Sequence, residues 1–197
     1  MQNLEQQLAF IRELDRLKSV YRQSLVKSDK NRFENSAEHS WHICLIAQVL
    51  KEYADKPLDI DRVVHMLLVH DIVEIDAGDT FAFATSAALG EQSGKELKAV
   101  ERIFGLLPDR QRDQFIALWM EFEEGATYES RYAKAIDRIV PVFMNLVNDG
   151  GGWRRHTLSR SQLLKRNEYL RTALPRLWDF FVSQIDVAVT KGWLQPD

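Results

Sequence analysis

Asp59-Ile60-Asp61-Arg62-Val63-Val64-His65-Met66-Leu67-Leu68-Val69-His70-Asp71 is the stretch that decides helix against strand in this chain. Val63, Met66, Leu67 and Val69 fall on one helical face, and Asp59 stands where an N-cap is expected. The same spacing recurs on both sides. Leu4, Leu8, Ile11 and Leu14, extended by Leu17, form a stripe near the N-terminus, and Ile43, Ala47 and Leu50 form another after Ser36, a residue able to cap a helix. A fourth helix is predicted over about 91–104, with Leu97, Val100, Ile103 and Phe104 apolar, followed by Gly105 and Pro108. Further helices are predicted over about 108–123, 127–148, 159–172 and 175–190. No window alternates with a period of two, and no Asn-Gly or Asp-Gly pair joins two β-branched runs. The reading is an all-α helical bundle of seven or eight helices in one domain, 1–197. Lys27–Asn35 reads as a polar loop. The Gly150-Gly151-Gly152 run reads as a loop too, because Trp153 follows at once.

The chain has 197 residues, of which 45% are hydrophobic and 28% charged. That balance supports a buried core and excludes disorder as the main state. With 26 basic and 29 acidic side chains the net charge is −3. A non-specific nucleic-acid binder would carry a basic excess, so none is expected as partner, and any phosphate must be met by a few local cations. Cys44 is the only cysteine, which excludes an intramolecular disulfide, and it reads as a small buried hydrophobe. No signal peptide, membrane span or membrane association is expected, and the predicted location is cytoplasmic.

A few polar residues interrupt the apolar pattern. His39 lies in the first turn after Ser36; His70 and Asp71 close the run above; Glu74 and Asp79 follow; Asp137 interrupts Ala133, Ala135, Ile136, Ile139 and Val140. On a continuous helix His70 and Glu74, or Asp71 and Glu74, would share a face. Imidazole nitrogen and carboxylate oxygen together suit a borderline divalent ion, one of Mn, Co, Fe, Ni or Zn. Two His and two Asp would leave coordination positions for water and substrate. Glu74 or Asp79 could then move a proton to or from the reacting oxygens. Each residue alone has a plainer explanation: His70 bonded to Asp71 is an ordinary structural pair, and Asp137 could pair with Arg138. Several buried carboxylates are costly separately, and one shared ion offsets them together. Pro141 removes the donor that would bond to the Asp137 carbonyl, which bends the helix at that residue or aims its side chain.

His39, His70-Asp71 and Asp137 together resemble the H…HD…D signature of HD-domain metal-dependent phosphohydrolases. Glu34-Asn35-Ser36-Ala37-Glu38-His39-Ser40, and His70-Asp71-Ile72-Val73-Glu74 followed by Gly78-Asp79, resemble the 5'-deoxynucleotidase branch. The resemblance runs over about 14–148, with the C-terminal helices of 159–190 packed on that core. It implies His39, His70, Asp71 and Asp137 as metal ligands, Glu74 as the group that orients or activates water, and Asp79 as a general acid or sugar-holding group. It implies Arg22 as a phosphate-binding arginine, which suits a guanidinium fork. It also implies a homodimer. Gln23 stands where that branch carries a Trp, and Phe81-Ala82-Phe83-Ala84-Thr85 lacks its proline. Trp153, Arg154 and His156 could reach a pocket, but a plain surface loop is the favoured reading; His42 reads as a satisfied helix histidine, and His65 and His156 read as surface residues.

The expectation is an HD hydrolase that releases phosphate from (deoxy)nucleoside 5'-monophosphates by attack of a metal-activated water, its partner a small-molecule nucleotide. Its rivals are hydrolysis of another phosphoester or nucleotide, and a non-catalytic helical interaction module with a structural metal. Glu74 and Asp79 favour the enzyme, because a structural ion needs neither.

Overall fold

The computed structural model describes residues 1–197, the side chain of Ser86 excepted. It is a helical bundle with one small hairpin. The order is α1 (Gln2–Leu14), β1 (Tyr21–Val26), β2 (Arg32–Asn35), α2 (Ser36–Leu50), α3 (Ile60–Val69), α4 (Glu74–Ala77) and α5 (Ser86–Phe104). Then come α6 (Asp109–Glu124), α7 (Tyr128–Val147), α8 (Gly151–Arg155), α9 (Arg160–Asn167), α10 (Leu170–Ala173) and α11 (Pro175–Thr190). Eight of these helices have seven residues or more among the described residues, as the all-α reading expects. No helix is long and apolar enough to cross a membrane.

Two apolar clusters hold the chain together. One joins α2, α3 and α7 to the C-terminal helices through Ile43, Met66, Ile136, Ile139, Leu170 and Phe181. The other gathers Phe10, Leu17, Val69, Ile72, Ile103, Phe104 and Trp119. Helix α3 contributes to both, Val63, Met66 and Leu67 to the first and Val69 to the second. Its C-terminal end, where His70 is the cap, therefore lies at the seam. Burial of such Ile, Leu and Phe side chains contributes roughly 1.5–3 kcal/mol each.

Several local expectations are corrected. The segment from Lys27 to Asn35 is not all loop: Arg32–Asn35 pairs antiparallel with Tyr21–Val26, in the register Leu25↔Phe33 and Val26↔Arg32. The turn uses left-handed Lys30 and Asn31, with φ 53 and 59, so no glycine marked it. Ser36 is not the N-cap of α2. Asn35 is, in a capping box with Glu38, and the Ser36 hydroxyl is free for another task. In α1, Leu4, Leu8 and Ile11 are exposed, while Phe10 is buried against Phe104 and Phe115. A period locates a stripe, but the neighbouring helix decides which stripe is covered. Leu97 is likewise exposed, and α5 begins at Ser86 rather than near Glu91.

The triple-glycine stretch opens α8 and is not merely a loop. Gly150 takes φ +85, and a Cβ there would come within 2.6 Å of Trp193 Cβ. Asn145 fastens this corner: its Nδ2 donates to the Pro141 carbonyl at 2.7 Å, and its Oδ1 accepts from the Gly152 N–H at 2.7 Å. The corner carries Trp153 and His156 to the wall of a cleft of about 360 Å³. His156, read above as a surface residue, stacks on Phe81 with ring centroids 4.2 Å apart.

Candidate metal centre

Three helices deliver the donors. His39 sits at the end of the first turn of α2, His70 at the end of α3, and Asp137 in the middle of α7. One ligand atom from each lies within 4.8 Å of the others. Asp137 Oδ1 is 3.1 Å from His39 Nε2 and 3.7 Å from His70 Nε2. Asp71 adjoins them, with Oδ1 3.0 Å from His70 Nε2 and Oδ2 4.0 Å from His39 Nε2.

Of the two outer ring nitrogens, that of His70 is held from behind by a hydrogen bond, and that of His39 faces a carboxylate without one. His70 Nδ1 is 2.8 Å from the Leu67 carbonyl, which makes Nδ1 the donor and turns Nε2 inward. His39 Nδ1 faces the buried Glu34 carboxylate at 3.4 Å. His70 Nε2 is buried with no hydrogen-bond partner of its own. Two buried imidazoles, that of His70 with an orphaned inward nitrogen, beside two carboxylates are a donor set that fits a divalent transition ion.

The spacing argument assumed one continuous helix from His70 to Glu74. Instead, residues 70–73 form a tight turn with Glu74 N–H bonded to the Asp71 carbonyl at 3.0 Å, and Glu74 opens α4. The result still places Asp71 and Glu74 on the same side. Glu74 Oε2 accepts from the Ser36 hydroxyl at 2.6 Å. Gly78, at φ +74, ends α4 in a conformation that favours glycine and turns the chain so that Asp79 faces back into the cleft.

Arg22 comes from β1 and is buried, with its side chain 13% exposed. Its Nη1 donates to Asp71 Oδ2 at 2.6 Å. Glu34, Glu74, Asp79 and Asp137 stand 3.8–4.0 Å from the guanidinium. Five carboxylates around one arginine leave a negative excess, the field a cation would enter.

The titrating groups divide accordingly. Burial drives Glu74 well above the usual carboxylate range, Asp71 adds to the shift, and Arg22 opposes it. Burial also raises Asp79 against the pull of Arg22. Burial alone would raise Asp137, yet its contacts with His39 and His70 hold it well below the ordinary range. For His70, burial would lower the pKa, but Asp71 and Asp137 outweigh it and the ring is held well above its usual value. The proton on His70 stabilises the metal-free fold at low pH, and that contribution is lost as pH rises through the raised pKa. A divalent ion must displace the same proton. Metal affinity is therefore expected to rise by up to about tenfold per pH unit through this titration, with proton release visible by calorimetry in buffers of different ionisation enthalpy. An affinity flat with pH would show that Nε2 is not the donor.

The structure thus brings His39, His70, Asp71, Asp137, Glu74, Asp79 and Arg22 to one point, and Trp153 and His156 to the same cleft, whereas Arg154 is exposed and does not line it. Glu34 and Ser36 were not singled out from the sequence for these roles. The Asn35-to-Glu38 spacing was the available sign that Ser36 lies inside the helix and not at its cap.

A family model described as HD domain matches residues 14–178. A "predicted metal-dependent phosphohydrolase" from Magnetospirillum magnetotacticum MS-1 is 42% identical, with TM-score 0.90 over 100% of both chains. An HD-domain phosphohydrolase from Listeria innocua shares the fold, with TM-score 0.58 at 18% identity over 93% of this chain and 85% of that one. The human protein named 5'-deoxynucleotidase HDDC2 is 33% identical over 131 residues, 66% of this chain and 62% of its own. A Xenopus laevis protein of the same name is 30% identical over 66% of this chain and 63% of its own. The match thus spans under two thirds of the length of these relatives.

Proposed function

This chain belongs to the HD domain family, and from that premise we propose that it is a metal-dependent phosphohydrolase acting on deoxynucleoside and nucleoside 5'-monophosphates. The observation that carries the reading is one cleft holding a His39–His70–Asp137 donor set beside two buried carboxylates of raised pKa, Glu74 and Asp79. His39, His70, Asp71 and Asp137 would hold the ion. When bound, a divalent ion there polarises a phosphoryl oxygen and lowers the pKa of a coordinated water toward ~7.

The chain's own groups do the rest. Arg22 shares the phosphate charge, a role its fixed position among the carboxylates suits. The Ser36 hydroxyl occupies Glu74 Oε2, so Oε1 is the oxygen left to take a proton from the attacking water. A new P–O bond forms to that water and the P–O bond to the 5'-oxygen breaks. Asp79, whose pKa burial raises, is the group placed to donate a proton to the departing 5'-oxygen. The Phe81–His156 stack gives the cleft an aromatic wall against which a nucleobase can lie. The exposed Trp41, Leu45 and Val49 on α2, with the stripe on α1, support self-association as a homodimer.

Phosphate release from a panel of 5'-monophosphates, with Mn or Co added and with chelator, tests the reading. Release that chelator abolishes is the expected result. Cleavage of a phosphodiester alone, with every monophosphate untouched, overturns it in favour of the rival substrate class. Metal-dependent melting with no turnover of any compound would instead mark a structural metal.

A further inference from the structure

Beyond the metal donors, the cleft runs to a shallow depression. Arg138 and Arg166 line both, and Lys165, Arg171, Tyr169 and Thr172 line the depression with them. Glu168 is the one carboxylate in its wall. Among the described residues, none of these four cations makes an ion pair, although the chain has net charge −3. Other arginines of the chain do pair with carboxylates: Arg32 with Glu38, Arg62 with Glu121, Arg102 with Asp76, Arg112 with Asp109 and Arg160 with Asp186. The contrast matters because like charges held together without a counter-ion repel one another.

Two further observations point the same way. Arg138 lies over the Tyr169 ring, 4.9 Å from its centroid, which fixes the guanidinium in place. The Tyr169 hydroxyl is buried and has no hydrogen-bond partner. A cluster of cations with an unsatisfied hydroxyl is the inverse of the carboxylate-rich metal end of the cleft. Arg138 and Arg166 also line the cleft that holds Asp137, so the pair reaches the metal end.

We infer that Arg138 and Arg166, backed by Lys165, Arg171 and the Tyr169 hydroxyl, form a second anion subsite that takes a further phosphate group of the same nucleotide whose 5'-phosphate lies at the metal centre. The inference rests on the 5'-phosphohydrolase reading above and deepens it: among nucleotides with a 5'-phosphate, those that carry a second phosphate are the preferred ones. The chemistry is phosphate recognition by paired guanidinium forks, and a hydroxyl donor adds to it.

Calorimetry on the metal-loaded protein tests this without turnover. The ligands are a deoxynucleoside 5'-monophosphate, the matching 3',5'-bisphosphate, the matching 5'-diphosphate and inorganic phosphate. At least one doubly phosphorylated compound should bind about tenfold more tightly than the monophosphate, and the Arg138→Gln/Arg166→Gln variant should erase that preference. If that variant does not fold, Lys165→Gln/Arg171→Gln, altered at exposed positions only, should reduce the preference instead. Equal affinities for all nucleotides, or a preference that survives the folded variants, would overturn the inference. So would inorganic phosphate binding as tightly as the doubly phosphorylated compounds, because the subsite would then take a free anion. Phosphate release is read in parallel. A preference in binding with no hydrolysis of any compound leaves the subsite standing and removes the hydrolase reading.

Discussion

Asp137→Ala is expected to abolish stoichiometric metal binding and to cut phosphate release by about a thousandfold or more. Asp137 brings a single oxygen, Oδ1, close to both inward imidazole nitrogens, at 3.1 Å from His39 and 3.7 Å from His70. With Asp71 it also holds His70 well above its usual pKa when no ion is bound. Without it, His39 and His70 lose the anchor that makes them a site and not a buried pair. The scaffold should survive, because His70 stays tethered to the Leu67 carbonyl and the apolar residues around Asp137 are untouched. Metal analysis and circular dichroism of the purified variant separate the two effects. A folded variant that retains one ion per chain would remove Asp137 from the ligand set.

Glu74→Gln should do the opposite to the metal and nearly the same to the rate. Loss of a positioned acid–base group costs about 10²–10⁴ in kcat. The side chain keeps its shape and its contact with the Ser36 hydroxyl, so metal content should be unchanged. Stability offers an independent reading. The folded pKa of Glu74 lies well above its ordinary value, so at neutral pH the folded state bears a cost that the unfolded chain does not. Removing that titration should raise the melting temperature of the metal-free protein at neutral pH, and the gain should shrink as pH falls toward the ordinary range of a carboxylate. A variant slower in turnover yet more stable is the signature of a strained catalytic group. Normal turnover by Glu74→Gln would assign the proton transfer elsewhere, with Asp79 next in line.

Much of this centre is legible in the chain because each of its members breaks a local rule. A His at the end of an apolar helical run, a carboxylate in the middle of another, and a second carboxylate just after Gly78 all conflict with burial unless something compensates them. Arg22 is different. Nothing in Val20-Tyr21-Arg22-Gln23 separates it from a solvated arginine, and only the pairing of two short strands carries it among the carboxylates. Glu34 and Ser36 were hidden for the same reason: Glu34 lies in the strand that pairs with that of Arg22 and stands 3.8 Å from its guanidinium, and the Ser36 hydroxyl donates to Glu74 on another helix. The four cations of the second depression come from α7, α9 and α10, and no common period links them.

By itself, the order of residues determined where the long helices run, which polar side chains sit where apolar ones belong, and that a divalent ion is the economical way to satisfy them. Those properties depend on neighbours three or four positions away, and backbone hydrogen bonding within a helix makes such neighbours adjacent whatever the rest of the chain does. Only the tertiary structure decided that α2, α3 and α7 cross at one point, that Phe10 and not Leu8 faces inward on α1, and that Arg22 enters the cleft from a hairpin. These are outcomes of packing between segments tens of residues apart, chosen by shape and total burial, which no local period encodes.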